Sequence, residues 1–98
     1  MARAELEKSW ATTVQHLKAA RALIPANAAP GPDGGTLAQY QEFLEHNELE
    51  LALDELADVG IGNSPPADFW RRLSRAAENM GLTEHVAKFE RKLRSREA

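Results

Sequence analysis

The chain has no cysteine. Disulfides and thiolate metal sites are therefore excluded, the fold must rest on packing, and a reducing compartment is tolerated. No window approaches the ~18 consecutive apolar residues of a membrane-spanning helix, so no membrane partner is expected. The opening Met-Ala-Arg-Ala-Glu-Leu-Glu-Lys carries charge where a secretory signal has its apolar core. Export by that route is not expected, and a cytoplasmic location is. No stretch shows the two-residue alternation and β-branched enrichment of a strand. The most informative absence is local: between Leu37 and Val59 there is not one Lys or Arg.

That segment holds Glu42, Glu45, Glu48, Glu50, Asp54, Glu55 and Asp58. Both flanks are basic, with Arg3, Lys8, Lys18 and Arg21 before it and Arg71, Arg72, Arg75, Lys88, Arg91, Lys92, Arg94 and Arg96 after it. A formal net charge of −3 over 98 residues conceals this alternation of sign. Ninety-eight residues make one domain with one modest core.

Leu6, Trp10, Val14, Leu17 and Ile24 recur at helical steps and predict one amphipathic helix of about twenty residues, ending before Pro25. Residues 25–35, Pro-Ala-Asn-Ala-Ala-Pro-Gly-Pro-Asp-Gly-Gly, read as a mobile loop; their spacing fits neither a Walker nor a dinucleotide pattern. Thr36 and Gln39 form a capping-box pair. The apolar sets Leu37, Tyr40, Phe43, Leu44 and Leu49, Ala52, Leu53, Leu56 lie on opposite sides of a continuous wheel. The favoured explanation is a break at His46-Asn47, giving a hairpin with arms at about 36–46 and 48–59; a single helix buried on alternate faces is the other. Gly60-Ile61-Gly62-Asn63 should end the second arm. Ser64-Pro65 should start a helix bearing Phe69, Trp70, Leu73, Ala76, Ala77 and Met80, closed by Gly81. A last helix follows with Val86, Phe89 and Leu93 in step. The expected fold is all-α: a compact bundle of four or five helices with a central acidic helical hairpin and a loop at 25–35.

An acidic helix face is ordinarily just solvated surface. Here, however, carboxylates at helical spacing, such as Glu42 with Glu45 and Asp54 with Asp58, repel by a few tenths of a kcal/mol each with no cation nearby in sequence. A basic partner would relieve that. Glu42 and His46 share a helix face, but no third ligand is suggested because His16 and His85 fall on other helices; no metal and no cofactor is expected. The aromatics are expected in the core; Phe69 and Trp70 point about 100° apart, and a partly exposed Trp70 beside Arg71 and Arg72, a binding anchor, is the less favoured alternative. Nucleic acid is disfavoured, since the acidic segment repels phosphate and the arginines are more simply paired with the hairpin inside the molecule. No nucleophile–base pair can be assembled, so no catalytic residue and no enzyme is expected.

The segment Tyr40–Val59, YQEFLEHNELELALDELADV, resembles small all-helical bacterial immunity proteins, including the MafI-like group. In these a short helix ending in a polar residue or Gly precedes a Glu-rich helix with a central Ala-Leu. Phe69-Trp70-Arg71-Arg72-Leu73 and Asn79-Met80-Gly81-Leu82 resemble the same proteins; the first helix and the Pro/Gly loop lie outside the resemblance. It implies a non-enzymatic inhibitor that binds a cognate toxin, a basic protein, through Glu42, Glu45, Glu48, Glu50, Asp54, Glu55 and Asp58, with Leu51 as an apolar centre. A regulatory or scaffolding helical module, self-associating or docking a peptide, is the alternative, and a DNA-associated regulator a third reading. Oligomeric state stays open.

Overall fold

Apolar spacing of three and four residues becomes five helices in a computed structural model, which describes the backbone of residues 3–97 and the side chains of residues 9–95. They are α1 (Arg3–Arg21), α2 (Leu37–Glu45), α3 (Leu49–Asn63), α4 (Ala67–Asn79) and α5 (Thr83–Glu97). No strand occurs among the described residues, and the all-α expectation holds. α4 packs against both α1 and α5, while α2 and α3 pair with each other and α3 also touches α1 and α4.

Thr13, Leu17 and Ala20 are the buried stripe of α1, continued by Ile24 in the turn that follows it; the Leu6 side chain lies outside the described residues. Trp10, expected in that stripe, is 42% exposed. The packing partner explains this: Asn79 at the end of α4 donates to Ser9 O at 2.6 Å and to Thr13 Oγ1 at 2.7 Å. This polar clasp takes the Ser9–Thr13 edge of α1 toward α4 and leaves Trp10 outside.

The hairpin breaks where its apolar phase changes. Asn47 adopts φ 57°, and the Glu48 N–H reaches back to Phe43 O at 2.9 Å, the left-handed closure that ends a helix. Gly81 does the same for α4, with φ 72° and a Leu82 N–H bond to Ala77 O at 2.9 Å. Both stops were legible in the chain.

The end of α3 was not. The helix continues through Gly60-Ile61-Gly62 to Asn63, and Ser64, at φ 46°, terminates it instead of capping α4. The N-cap of α4 is Pro66, with no side-chain hydrogen bond. Gly60 is helical because packing requires it there: a Cβ at this position would collide with the Phe69 ring. Phe69 and Trp70 are both buried, at 0% and 3% exposure, edge to face with centroids 4.9 Å apart. Both rings are core, as expected of the aromatics, and Trp70 offers no surface anchor.

Tyr40 is 1% exposed and its hydroxyl has no hydrogen-bond partner among the described residues. An unpaired buried hydroxyl costs about 1–3 kcal/mol, so Tyr40→Phe should raise stability at neutral pH by about 1 kcal/mol. Burial pushes the phenol up to about 12, against a smaller downward pull from Arg21. Because the folded value lies above the ordinary 10, stability is intact below pH 10 and falls as pH rises through about 12. Chemical denaturation between pH 9 and 12 should show wild type losing stability over this window relative to Tyr40→Phe. Parallel curves would refute the assignment.

Candidate functional site

Six of the eight nominated contact residues stand on the hairpin surface: Glu42, Glu45, Glu48, Glu50, Leu51 and Asp54 are exposed. Leu51, at 48% exposure, is an apolar side chain among carboxylates. Among the described residues none of these acids pairs with Lys or Arg; Asp54 meets His85 at 2.8 Å, and Glu45 accepts from Gln41 at 3.3 Å.

Glu55 and Asp58 are occupied within the molecule. Asp58 Oδ1 accepts from Asp33 N–H at 3.2 Å and its Oδ2 from Gly35 N–H at 2.7 Å. Glu55 Oε2 accepts from Thr36 N–H at 3.0 Å, while Thr36 Oγ1 accepts from Gln39 N–H at 3.1 Å. The capping box at Thr36 is thus completed across helices, by Glu55 of α3 in place of the Gln39 side chain. Asn63 fastens the same loop farther along, accepting from Ala29 N–H at 3.1 Å and donating to Ala29 O at 2.8 Å.

The loop at 25–35, expected to be mobile, is therefore laid onto α3. Its glycines permit the approach. A Cβ on Gly31 would strike the Asp58 carbonyl oxygen, and one on Gly35 would come within 2.6 Å of Asp58 Oδ2. Hydrogen bonds to charged acceptors contribute about 1.5–3 kcal/mol each when well shielded, less at a part-exposed site. Asp58→Ala is expected to destabilise by about 2 kcal/mol and to raise amide exchange at Asp33 and Gly35. Unaltered exchange there would show that the carboxylate does not hold the loop.

Among the described residues no Lys or Arg of α4 or α5 forms an ion pair with a hairpin carboxylate. Asp68 pairs locally with Arg71 at 3.0 Å and Arg72 at 3.9 Å, and the expected arginine–hairpin pairing is absent among the described residues. The half-exposed Asp68 pairs contribute little. A cleft of about 500 Å³ between α4 and α5 is lined by Arg71, Ser74, Arg75, Glu78, Glu90, Leu93 and Arg94. His16 borders a second cleft with Arg71, Arg72 and Arg75; burial, and then Arg72 and Arg75, hold its imidazole below the ordinary value. Glu78 and Glu90 interrupt the cationic lining, so no uniform phosphate-tracking stripe forms.

Sequence reasoning missed the exposure of Trp10 and Ile61, the Asn63 and Asn79 clasps, and the meeting of His85 with Asp54. Each depends on which helix packs where, and only the polar character of the asparagines was visible in advance. No helix among the described residues is long and apolar enough to cross a membrane. No protein-family model matches the chain, and neither a curated protein nor a solved structure matches it. The fold and surface define a small all-α protein with an unneutralised acidic hairpin.

Proposed function

We propose that this protein is a non-enzymatic, immunity-type inhibitor, cytoplasmic and bacterial, that binds a basic toxin made by the same cell through the exposed part of its hairpin. The observation that carries the reading is the set Glu42, Glu45, Glu48, Glu50 and Asp54, exposed and with no Lys or Arg partner among the described residues, around the exposed Leu51. Like charges held together destabilise a helix, and a cationic surface converts that repulsion into attraction and accelerates encounter. The proposed contact set leaves out Glu55 and Asp58, which hold the 25–35 loop and Thr36. The resemblance of Tyr40–Val59 to MafI-like immunity proteins supports the same reading.

Affinity capture of the tagged protein from its source cells, followed by native mass spectrometry, tests it. One basic protein held one-to-one, whose toxic activity falls when the complex forms, is the expected result. Recovery of a homodimer alone would replace inhibition with self-association through Leu51 and Trp10.

A further inference from the structure

The sequence offered Glu42 and His46 as a two-ligand start with no third member; the fold assembles a different trio. Glu50 and Asp54, one turn apart on α3, meet His85 from the first turn of α5, and one ligand atom from each lies within 4.8 Å of the other two. We propose that Glu50, Asp54 and His85 form a binding site for a divalent transition-metal ion of the zinc class, which clips α3 to α5.

Four observations carry this. First, the donor set is mixed: a nitrogen and two carboxylates suit zinc-class ions, whereas magnesium and calcium prefer oxygen alone. Second, the donors come from two helices, so the cluster is not a by-product of one acid-rich helix. Third, the carboxylates are not consumed by Lys or Arg among the described residues, and Glu50 beside Asp54 is a repulsive i,i+4 pair that a cation would relieve. Fourth, the His85 ring is seated before any ion arrives. It packs against Phe89 with centroids 6.2 Å apart and planes at 65°, and its Nε2 faces Asp54 Oδ1 at 2.8 Å.

In the metal-free form that 2.8 Å contact is a hydrogen bond. A tetrahedral ion about 2.0–2.2 Å from each ligand sets neighbouring ligand atoms about 3.3–3.6 Å apart. The pair must therefore open by about 0.5–0.8 Å, within the reach of side-chain rotation, and Glu50 closes in as the third ligand. The imidazole proton moves to Nδ1, leaving Nε2 as donor. Three protein ligands leave at least one position to water. Because α5 otherwise packs mainly on α4, the ion adds a direct tie between α5 and the hairpin. The inference does not rest on the proposed toxin.

Isothermal titration of the purified protein with zinc chloride at pH 7.5 tests it, with thermal unfolding alongside. One ion per chain, at about micromolar affinity, and a zinc-dependent rise in midpoint are expected. His85→Ala should weaken binding at least tenfold and Glu50→Gln several-fold, while His46→Ala binds as wild type. Glu50 is exposed, so its variant remains informative should loss of His85 loosen α5. Magnesium chloride should bind far more weakly. Absence of zinc binding, unchanged affinity in both His85→Ala and Glu50→Gln, or loss of binding in His46→Ala would overturn the site.

Discussion

Replacing Gly60 with valine is expected to remove about 3 kcal/mol of stability, the upper part of the range for overpacking a well-filled core. The position is interior to α3, where glycine is about 1 kcal/mol worse than alanine by helix propensity, so on local grounds valine, like any residue but proline, should help. Packing decides the opposite sign. A Cβ there collides with Phe69 Cε1 and comes within 3.2 Å of Trp70 Cη2. Neither ring has room to retreat, since both are buried, and Trp70 also neighbours Phe89 at 6.1 Å between centroids. For a domain of this size the loss corresponds to a fall of roughly 12–24 °C in Tm. Pairing Gly60→Val with Phe69→Leu should recover part of it, because the removed ring atoms are those the new side chain meets. A double-mutant cycle with no coupling between the two, or Gly60→Val melting like wild type, would show that α3 and α4 are not so closely apposed.

The triple reversal Glu42→Lys, Glu45→Lys and Glu48→Lys should weaken the proposed toxin complex about a thousandfold, at roughly 1.4 kcal/mol per reversed contact. The fold should be retained, since all three side chains are exposed and reversing Glu42 and Glu45 together merely exchanges one like-charged pair for another. Much of the loss at low salt should appear in the association rate, where long-range steering acts. The matched control is Glu78→Lys, Glu84→Lys and Glu90→Lys on α4 and α5, which makes the same change in net charge elsewhere. Surface plasmon resonance with the captured partner separates the two. Equal weakening by both triples would mean that net charge, and not the hairpin, controls binding; an unaltered complex with the hairpin triple would sink the proposed surface.

Local signals in the chain determined most of the element boundaries, because each is a property of a few neighbouring residues. Pro25 bars helix continuation, Thr36 offers a hydroxyl to Gln39 N–H, and Asn47 and Gly81 accept the left-handed backbone that closes a helix. The change of apolar phase after Leu44 was enough to divide the hairpin, since a helix can bury only one side against a single neighbour. The acid run was equally plain, and five of its seven carboxylates stand exposed.

What those carboxylates do was decided by tertiary structure. Residues 54 and 58 are both Asp one turn apart, yet Asp54 faces His85 and Asp58 faces the backbone of the 25–35 loop. No local rule distinguishes them, because the difference lies in what arrives from 31 and 23 residues away. Gly60 reads as a helix stop until Phe69 is placed against it, and Trp10 reads as core until the Asn79 clasp orients α1. Periodicity and capping are short-range and written in the chain; the choice between a free carboxylate, a loop anchor and a histidine partner depends on long-range packing, which no run of neighbouring residues encodes.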